Sequence, residues 1–174
     1  MLIWIPNDLE YNVFGQRFDR YGNLTGGVFQ VNTAPLEADL IARGLHSVAM
    51  SPTGEFVVVY DSFGTDGDDW GVLARQFDAD GTPLGDPFQV NTRTEGGQLA
   101  GEVVAHADGS FTIVWQEFRP DGKESDVYGQ HFDAAGERVG AEVHLNDESG
   151  AVPRIATDAS GRMLAVWTES DHVM

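Results

Sequence analysis

Four aspartates and three glycines fall within one short stretch of this sequence, residues 61–71 (DSFGTDGDDWG). Calcium takes about six to eight oxygen ligands from protein loops, and carboxylates are its usual ligands. Asp61, Asp66 and Asp68 are therefore candidate calcium ligands, and calcium is the one cofactor that the sequence suggests. A solvated acidic loop is the simpler interpretation of the same residues.

The same loop places an aromatic ring beside carboxylates. Trp70 follows Asp68 and Asp69, and its ring could stack on a sugar while its edge stays in water. The corresponding loops elsewhere in the chain differ in length and sequence, as recognition loops on a repeated scaffold do. These loops supply the other candidate ligand-binding residues: Phe118, Arg119 and Tyr11.

Composition excludes several other chemistries. The 174 residues include no Cys, so thiolate catalysis, disulfides and Cys-ligated metals are ruled out. With 28 acidic and 10 basic residues the net charge is −18, which argues against nucleic acids and anionic membranes as partners, and no apolar run is long enough to be inserted in a bilayer. The five histidines show no metal-ligand spacing, and no nucleophile or phosphate-binding motif is present.

The chain is built from a repeated unit of about 55 residues. Three segments that begin with Gly and end on an aromatic residue align with one another, and the first residues of the chain match their ends. The final aromatic residues are spaced by 56, 55 and 52 positions, and we call them the anchors: Trp4, Tyr60, Trp115 and Trp167. Because they recur after one apolar segment, the anchors are expected to pack in the core rather than bind sugars.

Each unit holds four short apolar segments bounded by Gly, Asp, Asn, Pro or Ser, which is typical of strands. The anchor segment is continuously apolar, so both of its faces are expected to be covered. Four antiparallel strands per unit, repeated and covered on both faces, predict an all-β fold with about three blades of a β-propeller in an incomplete ring. A β-sandwich is the main alternative. The predicted units are 1–47 (partial), 48–102, 103–154 and 155–174 (partial).

Three shorter features of the sequence also carry structural predictions. Asp19, Asp78 and Asp133 begin segments that soon reach a Gly, which predicts tight hairpin turns rather than calcium loops. Asn recurs at the end of the third segment of each unit and is expected to cap a turn: Asn32, Asn91 and Asn146. The stretch 34–43 has no counterpart in the next unit and is expected to form a short helical turn.

The repeat resembles tandem units of large secreted bacterial proteins, many of which also carry calcium-binding RTX segments. Those units read P-x-V-A, then D-G-x-F-V-V-V-W, then Q-R-F-D-A-x-G and F-x-V-N-T. Here the match comprises residues 101–115, 72–85 and 88–92, with the opening Pro at Pro153. The last unit departs from it at 143–146, and the glycine-rich calcium nonapeptide of RTX segments is absent.

These observations lead to an expectation about function. We expect a non-enzymatic extracellular or cell-surface module for adhesion, with a glycan or a surface protein as partner. A propeller-type glycoside hydrolase or lyase fragment is the alternative, although 28 acidic residues bring some carboxylates together by chance. An enzyme would show unique inward-pointing polar residues, whereas a binding module would repeat one pocket between blades. A fragment of a longer protein is expected, or else a homodimer that completes a six-bladed ring.

Overall fold

A computed structural model describes residues 1–4, 12–34, 46–119 and 124–169. All regular elements in these ranges are β-strands, as the repeat predicted. In chain order they are β1 (Leu2–Trp4), β2 (Phe14–Phe18), β3 (Leu24–Gln30), β4 (His46–Met50), β5 (Phe56–Phe63), β6 (Trp70–Phe77), β7 (Phe88–Gln89), β8 (Gln98–Ala105), β9 (Phe111–Phe118), β10 (Ser125–Phe132), β11 (Arg138–His144), β12 (Gly150–Thr157) and β13 (Met163–Glu169).

The strands form four antiparallel sheets, each a simple up-and-down meander. We call them blade 1 (β1–β3), blade 2 (β4–β7), blade 3 (β8–β11) and blade 4 (β12–β13). Blades 2 and 3 have four strands each, and the described parts of blades 1 and 4 have three and two. Consecutive blades lie against one another, so the predicted β-propeller fold with an incomplete ring is confirmed. The expected helical turn at 34–43 lies, from residue 35 onward, outside the described residues.

Two apolar cores hold consecutive blades together. The first lies between blades 1 and 2, where Val13 and Val31 pack against Val58 and Tyr60. The second lies between blades 2 and 3, where Val59 and Val72 pack in one cluster with the fully buried Trp115. Adjacent residues of β5 therefore point into different cores, which explains why this strand is apolar without alternation. The expectation that the anchors at 60 and 115 are core residues is confirmed.

The approach of blade 3 to blade 2 is close enough to require a residue without a side chain. A Cβ atom on Gly101 would lie 2.5 Å from Val59 Cγ1 and 2.9 Å from Val72 Cγ1. Both distances are well below ordinary carbon–carbon contact, so any side chain here would push the sheets apart. Gly101 lies in an irregularity of β8, between residues 99 and 102, where the pairing with β9 shifts.

The hairpin turns follow the predicted chemistry. Asp78 Oδ1 accepts hydrogen bonds from the backbone N–H groups of Asp80 and Thr82, and Asp19 and Asp133 do the same in their own turns. Each turn then uses a glycine at positive φ, +83° at Gly81. These hydrogen bonds hold the pKa of Asp78 below its usual value, because they favour the charged carboxylate. The carboxylates are thus engaged in turns.

The recurring asparagines do cap a turn, and they also join two strands. Asn91 Oδ1 accepts a hydrogen bond from the backbone N–H of Val72 at 3.0 Å, and Nδ2 donates to the carbonyl of Arg93 at 2.7 Å. Asn32 and Asn146 make the equivalent pairs of bonds in blades 1 and 3. Asn91 Nδ2 also lies within hydrogen-bond distance of Asp66 and Gln98. A buried amide with this many partners holds the chain that follows β7 against the neighbouring strand β6.

We predict that Asn91→Ala lowers the free energy of unfolding by about 2–4 kcal/mol, because it leaves several buried polar groups without a partner. Urea denaturation followed by tryptophan fluorescence measures this. Thr92→Ala, an exposed neighbour, serves as the control and should change the stability by less than about 0.5 kcal/mol. Equal effects of the two substitutions would contradict the structural role assigned to Asn91.

Candidate functional site

The first strands of blades 2, 3 and 4 lie side by side and form the inner face of the ring. The pairing of each with its second strand shows which of their residues are equivalent. One such position faces a valine of the second strand in every blade, and its own residue differs from blade to blade: Ser47 opposite Val59, Glu102 opposite Val114, and Arg154 opposite Val166. This set, which we call the inner triad, is where the inner strands depart most from the repeat.

The three side chains of the inner triad bond to one another across the blades. Ser47 Oγ donates a hydrogen bond to Glu102 Oε2 at 3.0 Å, and it also accepts one from the backbone N–H of Val103 at 3.3 Å. Arg154 Nη1 lies 2.9 Å from the other carboxylate oxygen, Glu102 Oε1. The carboxylate is thus held from both sides, while 26% of the Glu102 side chain and 55% of the Arg154 side chain stay exposed.

A carboxylate fixed in this way can accept a proton, stabilise a developing positive charge or orient the hydroxyl groups of a ligand. The inner triad was not among the residues predicted from the sequence. The signal available was positional, because each member immediately precedes the weak apolar segment of its unit, at 48, 103 and 155. Only the strand register shows that these three polar residues are equivalent and meet in space.

A second set of side chains gathers near the start of β8. A Cβ atom on Gly97 would lie 3.6 Å from Asp69 Oδ2, 3.6 Å from Phe118 Cδ2 and 3.7 Å from Trp70 Cβ. Three residues that the sequence predicted to bind a ligand, Asp69, Trp70 and Phe118, therefore surround Gly97. Residues of blades 2 and 3 meet at this point. We call Asp69, Trp70, Phe118 and Gly97 the mouth cluster. Trp70 packs edge-on against Phe63, with ring centroids 5.7 Å apart, and is only partly exposed.

The three predicted calcium ligands are engaged in different places. Asp66 Oδ2 accepts from Asn91 Nδ2 at 3.0 Å, and Asp68 Oδ2 accepts from the backbone N–H of Gly96 at 3.0 Å. Asp61 is buried within β5. Within the described ranges, no group of three or more His, Asp or Glu side chains is arranged to hold a metal ion. Calcium binding by this loop stays a prediction from the sequence.

The ion pairs of Arg119 are with residues outside the mouth cluster. Its guanidinium pairs with the carboxylates of Asp126, at 2.7 Å, and Glu124. These bonds fasten the strand ends of β9 and β10 together, which is a structural role. Tyr11, the remaining candidate from the sequence, lies outside the described residues.

One carboxyl group near the mouth cluster is almost fully buried. Glu117 is 4% exposed, and its Oε1 lies 2.9 Å from Nε of Arg93. The other oxygen, Oε2, has no hydrogen-bond partner within the described part of the chain. Burial raises the pKa of Glu117 above its usual value, which the Arg93 guanidinium partly offsets. The Glu117 carboxylate is therefore costly to ionise in the folded protein, next to the loop of residues 90–97.

Comparison with known proteins bears on the fold. No family model and no curated protein matches the sequence. An endo-arabinase structure from Bacteroides thetaiotaomicron VPI-5482 is similar, with a TM-score of 0.52 and 16% identity over 95% of this chain and 68% of that one. A thermostable family-43 glycoside hydrolase gives a TM-score of 0.46 and 12% identity over 97% of this chain and 64% of that one. The chain thus spans about two thirds of either protein.

The expectation of a non-enzymatic adhesion module is wrong in the light of this comparison, since the fold is similar to that of an endo-arabinase. The physical reason for the error lies in the inner triad. Its members are different in each blade and point inward, which is the arrangement expected for an enzyme and not for a repeated binding pocket. In the described ranges the structure forms no helix able to span a membrane.

We predict that Glu117→Gln stabilises the protein progressively as the pH rises. Because the folded-state pKa lies above the unfolded value of 4.5, burial of Glu117 costs little at low pH. Stability falls as the pH rises from the unfolded pKa to the folded pKa, and the loss is complete above the folded pKa. Thermal unfolding at about pH 4 and about pH 8 measures the difference in Tm between variant and wild type.

That difference should be larger at the higher pH. Glu137→Gln, an exposed turn residue, is the matched control and should show no such trend. A Tm difference that shrinks with rising pH would mean that the ion pair with Arg93 outweighs the burial of the charge.

Proposed function

We propose that this chain belongs to a glycoside hydrolase and that Glu102 is one of its catalytic carboxylates. The observation that carries the proposal is the inner triad, a carboxylate held between a hydroxyl and a guanidinium on the inner strands of a propeller. The similarity of fold to an endo-arabinase supports it. Since that similarity is one of fold alone, the assignment depends on what the residues of this chain can do.

Hydrolysis of a glycosidic bond generally needs two carboxyl groups, one to protonate the leaving oxygen and one to activate water or to attack the sugar. Glu102 is suited to the second task, because its oxygens are oriented by Ser47 and Arg154 and remain partly exposed. The carboxyl group for the first task must lie within about 5–9.5 Å of Glu102.

The charge of the chain indicates the class of glycan. A protein with a net charge of −18 repels polyanionic chains such as polyuronates and lacks the basic surface that would recognise them. A neutral polysaccharide fits better. Arabinan is the first substrate to test, because the fold is shared with an endo-arabinase.

We further propose that the protein acts outside the cell. Polysaccharides are extracellular polymers, the sequence resembles repeats of secreted bacterial proteins, and a strongly acidic surface favours solubility there. Detection of the full-length protein in the culture medium of its source would support this location, and exclusive recovery from the cytoplasm would contradict it.

We predict that wild-type protein releases reducing sugars from arabinan and that Glu102→Gln lowers kcat at least about 100-fold, as expected when a catalytic carboxylate is lost. Reducing-end assays on arabinan, xylan, galactan and polygalacturonate provide the measurement.

Glu137→Gln removes one exposed carboxylate at the opposite end of blade 3 and is the matched control. It should retain wild-type activity. Absence of hydrolysis on all four polymers, or equal activity of Glu102→Gln and the control, would refute the proposed function.

A further inference from the structure

A cavity of about 540 Å³ lies between blades 1 and 2, away from the inner triad. Blade 1 contributes the segment 32–34 that leaves its last strand, and blade 2 contributes the ends of β5, β6 and β7. The cavity lies within the range of small-molecule sites in proteins. Its wall combines apolar side chains with hydroxyl, amide and carboxylate groups: Thr33, Tyr60, Ser62, Thr65, Leu73 and Asp86.

The same place between blades 2 and 3 is filled by side chains. Register makes Leu73 equivalent to Tyr128, since each pairs with the anchor of its blade, and Ser62 equivalent to Glu117. Between blades 2 and 3 the guanidinium of Arg93 forms an ion pair with Glu117 at 2.9 Å and lies 5.4 Å from the centroid of the Tyr128 ring. These three side chains bridge the two blades.

Smaller residues at the equivalent positions open the cavity between blades 1 and 2. Ala34 replaces Arg93, because Asn32 and Asn91 make the same bonds two residues earlier. Ser62 replaces Glu117, and Leu73 replaces Tyr128. One repeated position thus carries a structural ion pair in one interface and a cavity in the other.

The cavity wall has hydrogen-bonding groups without a protein partner. Ser62 is only 3% exposed, and its hydroxyl makes no hydrogen bond with any described residue. That hydroxyl is not among the buried polar atoms without a partner, so it is accessible to solvent. The hydroxyls of Thr33 and Thr65 and the carboxylate of Asp86 also line the cavity without a partner in the described ranges. Thr33, Thr65 and Asp86 are exposed, so water solvates these groups in the free protein and a ligand can replace that water.

We propose that this cavity binds a neutral saccharide. Three hydroxyls and one carboxylate offer both donors and acceptors to vicinal sugar hydroxyls, and Leu73 and Tyr60 supply apolar wall for the sugar ring. Among the described residues no basic side chain lines the cavity, and the carboxylate of Asp86 disfavours anionic ligands. The site is separate from the inner triad, so it does not require that the proposed hydrolysis be correct.

Saturation-transfer NMR with L-arabinose, D-xylose, D-galactose and D-glucose, followed by titration of the best probe, tests the proposal. Wild-type protein should show transfer to at least one sugar. Leu73→Tyr fills the cavity with the residue that blade 3 carries at this position, and it should weaken binding at least about tenfold. Ser62→Ala removes one hydroxyl and should weaken binding by about three- to tenfold.

Glu137→Gln, an exposed turn residue outside both the cavity and the inner triad, is the control and should bind the probe as wild type does. Circular dichroism and Tm verify that each variant folds, and Ser62→Ala provides the test if Leu73→Tyr does not fold. The proposal is overturned if none of the four sugars shows transfer. Unchanged affinity of both cavity variants, or an equal loss of affinity in Glu137→Gln, overturns it as well.

Discussion

The structure depends on one constraint, which is that the sheets of blades 2 and 3 bury both of their faces against neighbouring sheets. Adjacent residues of β5 enter two different cores, and the close approach at Gly101 leaves no room for a side chain. Burial of this kind removes polar residues from the middle of the sheets, because an unpaired polar group there is costly. Variation is left to the inner strands, the loops and the ends of the interfaces between blades.

All of the functional features described above lie at those permitted places. Glu102, Ser47 and Arg154 occupy one position of the inner strands, where the residue faces the ring interior and not a neighbouring sheet. Glu117 and Ser62 occupy another equivalent pair, one engaged with Arg93 and the other lining a cavity. The blades thus share one backbone structure but carry different residues at equivalent positions. Those positions are where functional side chains are expected.

Much of this could be predicted from the sequence, because local physics determines it. Continuous apolar segments, Asp and Gly in hairpins, and Asn at a strand end each have a local cause, and the structure shows strands, turns and caps at those places. The sequence predicted loops at Asp69, Trp70 and Phe118. In the structure Trp70 begins β6 and Phe118 ends β9, and the fold brings all three together around Gly97. Their role in binding stays a prediction.

The inner triad could not be predicted in the same way. Its three members are separated by more than fifty residues and differ in type, so no local pattern connects them. Their equivalence depends on strand register, including the shifts in β8 and β12. The expectation of a non-enzymatic module followed from this gap, since the recurring residues are structural and the residues with chemical potential do not recur.

The most direct test is a crystal structure of the Glu102→Gln protein with an arabino-oligosaccharide. If the proposed function is correct, a sugar ring lies against the inner strands with a glycosidic oxygen or anomeric carbon in contact with the side chain at position 102, and Arg154 lies beside it. Sugar bound only elsewhere on the protein, with the inner face occupied by water alone, would contradict the assignment of catalysis to the inner triad.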